Sequence, residues 1–166
     1  MTANIHMETA ERWPIPNQQN SFLHGNEERL ASFHENTHSS AIRRTALSGF
    51  YNCHGLTFGA RRTCIDSPDA IATILKDDKY QLLQNTEVLA GDVIIYYQEG
   101  EAIHSGVVVD VTGIDLRSYR VVSKWGANGA EYLHWAHDCP YGPTFSFYRV
   151  DRGMETATFS QIITSI

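Results

Sequence analysis

Two regimes of hydrophobic spacing divide this chain. Ile71, Ile74 and Leu75 recur three and four residues apart, which predicts an amphipathic helix. Ser67 or Asp66 caps it, Pro68 fits its first turn, and the charged stretch 76–79 ends it. Upstream, Leu56, Phe58 and Ala60 form a compact apolar face. They predict a shorter helix starting at Cys53, with Asn52 as its cap and Arg61 and Arg62 closing it. From Asp92 onward the period shortens. Stretches 92–97, 103–111, 119–125, 131–135 and 145–150 are rich in β-branched and aromatic residues and predict strands. Turns separate them at 98–101, around Gly113, at 126–129 and at 140–143. The nearly continuous apolar run after Ile103 predicts burial on both faces, and Phe145, Phe147 and Arg149 share one face of the last strand. Helices first and an antiparallel meander after predict an α+β fold, with 81–88 as connecting chain.

The first part of the chain is less regular. Trp13-Pro14-Ile15-Pro16 reads as extended or turn-like, because proline disfavours helical geometry in the residue before it. A short helix is predicted over 21–31 with Asn26 as its cap, and His24, His34 and His38 read as surface histidines. Residues 1–47 are therefore expected to be an arm or a segment covering a cleft, and 48–166 the organised domain.

Composition narrows the function. At 166 residues, 42% of them hydrophobic, the chain suits one globular core. A formal charge of −6 with no basic run argues against a nucleic-acid partner, and Arg43-Arg44 and Arg61-Arg62 read as solvated faces. Cys53, Cys64 and Cys139 are an odd set without a close pair, which suits free thiols in a reducing compartment rather than a disulfide framework. No apolar run is long enough to span a bilayer, and the polar stretch 1–10 lacks the apolar core of a signal peptide. A cytoplasmic location follows as the expectation, with export only by a route that uses no cleaved signal. His134, His137 and Cys139 are metal-donor types close together, yet they match no common zinc spacing. No metal and no cofactor is expected.

The chemistry concentrates in two stretches, Phe50-Tyr51-Asn52-Cys53-His54-Gly55-Leu56 and His104-Ser105-Gly106-Val107-Val108-Val109. Cys53 sits where a helix starts, and the partial positive charge there favours a thiolate. His104 sits where a core strand starts, as a base for that thiol. Cys64 and Cys139 read as core.

In order and spacing these stretches resemble the NlpC-type papain-like cysteine peptidases, a superfamily that includes the CHAP amidases. Tyr51-Asn52-Cys53-His54-Gly55-Leu56 stands where that family carries aromatic, Asp or Asn, Cys, then usually Ser-Gly-Leu. Ala90-Gly91-Asp92-Val93-Ile94-Ile95-Tyr96 matches its Pro-Gly-Asp and apolar strand, and His104-Ser105-Gly106 its His-Val-Gly. Nucleophile and base lie 51 positions apart, and the likeness covers roughly 50–150. It implies a papain-like fold with N-terminal helices carrying the nucleophile against an antiparallel sheet. It also implies hydrolysis of an amide or peptide bond through a thioester, often in peptidoglycan peptides.

Two departures stand out. His54 replaces the small residue after the nucleophile, and the strand 121–126 lacks the usual His, Asn, Gln or Asp that orients the base. Ser123 and His134 are the candidates for that third catalytic place. Tyr51, His54 and Trp125 are the candidate substrate contacts, Tyr51 through a hydroxyl that would assist the oxyanion, while Trp125, Trp135 and Tyr141 read as core or cleft wall. An acyltransferase or deamidase on the same dyad, and a catalytically inactive binding module, are the alternatives.

Overall fold

The computed structural model describes residues 2–20, 23, 25–115 and 117–151. In chain order it contains β1 (Thr2–Ala3), β2 (Gln19–Asn20), α1 (Glu27–Thr37), β3 (Ile42–Arg43), α2 (Cys53–Phe58), α3 (Pro68–Asp77) and β4 (Tyr80–Leu83). A 3₁₀ turn (Asn85–Glu87) leads to β5 (Val93–Gln98), β6 (Glu101–Val111), β7 (Tyr119–Lys124), β8 (Glu131–Trp135) and β9 (Phe145–Val150). The fold is α+β. Its main sheet has seven antiparallel strands in the order β3-β8-β7-β6-β5-β9-β4.

Local chemistry explains the helix boundaries. Asn52 caps α2 by accepting from the Gly55 N–H at 2.9 Å, and the same oxygen accepts from Ile65 N at 3.1 Å. The helix closes at Gly59, after which Ala60 and Arg61 turn through the left-handed region at φ 50° and 63°. Ser67 caps α3 by accepting from Ala70 N, with Pro68 in the first turn. The β5–β6 hairpin turns on Glu99 and Gly100, both at positive φ, as a two-residue type I′ turn requires.

The sheet divides the core in two. On one face Val93 and Ile95 of β5 pack with Ile71 and Ile74 of α3, and with Ile15 and Ile65. On the other, Ile94 and Tyr96 pack with Val108, Tyr119, Val121, Trp125, Tyr132 and Phe147. Burial on both faces gives β5 its unbroken apolar sequence. Each fully buried side chain of this kind contributes about 1.5–3 kcal/mol.

Three expectations need correction. The meander holds from β5 to β8, but β9 crosses back to lie beside β5. There Phe147 meets Tyr119 at 4.6 Å between ring centres, and Arg149 grips the buried Asp92 carboxylate at 2.7 Å through two nitrogens. The stretch read as connecting chain holds β4, an edge strand on β9 whose Leu82 is exposed, so it carries no alternating apolar signal. The N-terminal helix begins at Glu27 and runs to Thr37 rather than over 21–31.

The N-terminal segment packs on the body. Ile15 is buried, Gln18 bridges Cys64, and the Thr9 hydroxyl donates to Asp77 at 3.0 Å. His34 and His38 are half-buried rather than freely exposed. Both rings lie edge-on to Trp125, at 5.8 and 5.4 Å, and His38 Nδ1 is 2.7 Å from Asp138. His24 lies outside the described residues. Among the described residues no helix is long and apolar enough to cross a membrane.

Candidate active site

α2 lies against β6, and three polar side chains pin it there. His54 Nδ1 meets the Ser105 hydroxyl at 2.9 Å, and that hydroxyl also bonds Thr57 Oγ1 at 2.9 Å. Gly55 permits the helix to approach the chain at Thr63 so closely that a Cβ there would sit 1.6 Å from the Thr63 carbonyl oxygen. Asn52 fastens the start of the helix to Ile65 O at 2.8 Å and Asp66 at 3.0 Å. Cys53, half-buried, opens into a cleft of about 330 Å³ lined also by His54, Asp66, Ile103, Gly126 and Tyr141. A hollow of about 560 Å³ beside the β5–β6 turn shares Ile103 and Tyr141 with this cleft.

His104 belongs to the opposite face of β6 from Ser105, since neighbouring strand residues alternate. Its ring is wholly buried. Tyr141 lies flat on it, at 3.6 Å between centres and 8° between planes, and Tyr96 stands 5.4 Å away. Among the described residues neither ring nitrogen has a hydrogen-bond partner, the Cys53 thiol included. Burial, and secondarily the neighbouring His54 and His134, holds its pKa well below 6.5.

Contrary to expectation, the helix start does not give Cys53 a thiolate at rest. Burial pushes the Cys53 thiol up to about 11, outweighing the nearby backbone N–H groups of Ser105 and His54 and the charge of Lys124. α2 is only six residues long, so few peptide dipoles add up at its start. At rest the Cys53 thiol and the His104 imidazole are both neutral.

The expected hydrogen bond from a third residue to His104 is absent. Ser123 and His134 bond each other instead, at 2.8 Å. His134 Nδ1 faces the Trp135 carbonyl at 2.9 Å, so Nδ1 carries the proton and Nε2 accepts from the Ser123 hydroxyl. Ser123 Oγ in turn accepts from Trp125 Nε1 at 3.1 Å. Burial lowers the His134 pKa to about 4.

The three proposed substrate contacts separate. His54 lines the cleft, but its ring is buried and its pKa lowered by burial to about 4. Tyr51 does not offer its hydroxyl to an oxyanion. It donates at 2.7 Å to Glu131, whose carboxylate also binds Arg61 at 2.6 Å. Arg61 is thus tied to a buried acid rather than merely solvated. Trp125 is core, stacked on Tyr132 at 4.3 Å between centres.

Two participants went unnoticed in the sequence. Lys124 is fully buried at the end of β7, its ammonium 5.2 Å from the centre of the Tyr51 ring. The strand is already mixed, with Arg120 and Ser123 beside its valines, so Lys124 stands out little in the sequence. Glu131 gives no signal, because only tertiary packing brings Arg61 and Tyr51 to it. Comparison with protein-family models, with curated proteins and with solved structures finds no match for this chain.

Proposed function

We propose that this protein is a papain-like cysteine hydrolase of the NlpC type, cleaving an amide or peptide bond, with peptidoglycan peptides as the substrate class the resemblance implies. One observation carries the reading. The cysteine that begins α2 opens into a cleft with Tyr141 in its wall, and the ring stacked on Tyr141 is the buried His104, whose two nitrogens have no hydrogen-bond partner among the described residues. A buried imidazole without partners is costly, and a role in proton transfer explains why it is kept. His104 lies on the face of β6 away from the Ser105 contact with α2, so this role requires Tyr141, which separates the ring from the cleft, to move when substrate binds.

In the proposed reaction His104 takes the Cys53 proton as the sulfur attacks the substrate carbonyl carbon. The tetrahedral oxyanion meets the backbone N–H of Cys53. Collapse forms a thioester and expels the amine, which leaves with the proton from His104. Water, deprotonated by His104, then hydrolyses the thioester and frees Cys53.

Mass spectrometry after incubation with muropeptides and with a generic peptide mixture tests this. Cleavage by the wild type is expected, with total loss in Cys53→Ala and a loss of about a hundred- to ten-thousand-fold in His104→Ala. Iodoacetamide should label Cys53 ahead of the buried Cys64 and Cys139. Cleavage that survives in Cys53→Ala refutes the assignment. Group transfer or deamidation, each with its own mass change, would move the protein to those classes. A Cys53 that takes the label while no substrate changes mass would leave a binding module.

A further inference from the structure

Lys124 carries a charge for which the fold provides no counter-ion of its own. Its Nζ donates to Ser48 O at 2.7 Å, Ala127 O at 2.9 Å and Gly126 O at 3.2 Å, which occupies all three ammonium hydrogens. Among the described residues no carboxylate lies within ion-pair distance of it. Glu131, the acid in its surroundings, is already engaged by Arg61 and Tyr51. Burying an ammonium costs several kcal/mol even after relaxation, and an apolar side chain of similar size would avoid that cost. Its remaining ionisable neighbours are Cys64, which bears on it more, and Cys53. The Cys64 thiol is buried and donates to Gly49 O at 3.7 Å. Cys53 opens into the cleft whose wall includes Gly126 and Ala127, the residues Lys124 holds.

We propose that Lys124 is a positioning residue for Cys53: its ammonium ties the backbone leading to Cys53 to the facing wall of the cleft and supplies the fixed positive charge toward which the thiolate forms. The proposal rests on Cys53 being the nucleophile. The groups that bear on the thiol are Lys124, Tyr141, the adjoining His54 and the Ser105 backbone N–H. Tyr141 has its pKa raised by burial and His54 has its pKa lowered to about 4, so both are neutral at pH 7. Lys124 alone among them is charged there, and burial brings its own pKa down to about 8. The charge that favours the thiolate therefore switches off within reach of experiment.

The test is the rate of iodoacetamide alkylation of Cys53 in the folded full-length protein, read by mass spectrometry from about pH 6 to about pH 10. For the wild type the rate should climb about tenfold per pH unit, flatten just above pH 8 as Lys124 loses its proton, and then climb again. Lys124→Met should react about tenfold more slowly near pH 7 and show no flattening. Lys124→Arg, which stays charged throughout, should keep the wild-type rate near pH 7 and also show no flattening. An unbroken wild-type slope, or a Lys124→Met variant as fast as wild type near pH 7, overturns the proposal. The wild-type profile decides by itself if the methionine variant fails to fold. No hydrolysis is read in this assay. A failure here therefore leaves the hydrolase reading standing, and an absence of hydrolysis leaves this result standing.

Discussion

Acid should destabilise this protein well before its carboxylates titrate. His54, His104 and His134 are buried in the neutral form, with pKa values lowered to about 4, well below 6.5, and to about 4 respectively. Each has a folded-state pKa below its unfolded value of 6.5, so the unfolded chain binds protons that the folded chain refuses. Stability is complete above pH 6.5 and is lost as pH falls from there toward the folded pKa values. A fall from neutrality to about pH 5 costs about 2 kcal/mol for each of His54 and His134. His104 adds to the loss in the same window. A total of at least about 4 kcal/mol is a large part of the 5–15 kcal/mol typical of a domain. The buried and paired carboxylates act lower. Glu131 and Asp138 have pKa values held below their ordinary 4.5 and 3.8, so their contribution fades only beneath those values. Urea unfolding followed by tryptophan fluorescence at about pH 7.5, 6.5, 5.5 and 5 measures the effect as a falling midpoint at constant slope. His134→Gln, which keeps a donor and an acceptor for Trp135 and Ser123, should flatten the dependence by about 1.4 kcal/mol per pH unit. Unfolding free energies at about pH 5 and pH 7.5 that agree within about 1 kcal/mol would refute the reasoning.

Two further perturbations probe the site. Tyr141→Ala removes the ring stacked on His104 and admits water, so the His104 pKa should rise toward 6.5. Proton NMR of the histidine Cε1–H signals reads this, and an unchanged titration would show that Tyr141 is not what shields His104. Gly55→Ala forces a methyl group to within 1.6 Å of the rigid Thr63 carbonyl, so α2 must shift at a cost of at least about 3 kcal/mol. A urea midpoint equal to wild type would mean the helix does not pack as described.

The periodicities of the chain determined its local elements. α3 needs only Ser67, Pro68 and the spacing of Ile71 and Ile74. The Glu99-Gly100 turn and the run after Ile103 specify the β5–β6 hairpin, and Asn52 specifies where α2 starts. Each depends on contacts within a few residues, which sequence spacing reports directly. Cys53 and His104 were picked out by their residue types and flanks, and the fold places them on α2 and β6 without a hydrogen bond between them. Tertiary structure decided the rest. The place of β9 beside β5 comes from aromatic packing across the sheet and from the Arg149–Asp92 pair, 57 positions apart. Burial is a property of the assembled fold, and it reverses the charge states that local reasoning assigns. A thiol at a helix start becomes harder to ionise, because removing solvent from the anion outweighs the pull of a short helix. The same packing turns Ser123 and His134 toward each other, commits Tyr51 to Glu131, and leaves His104 without a partner beneath Tyr141. Hydrogen-bond choice among buried groups depends on which neighbours the whole chain delivers, and spacing along the sequence does not carry that information.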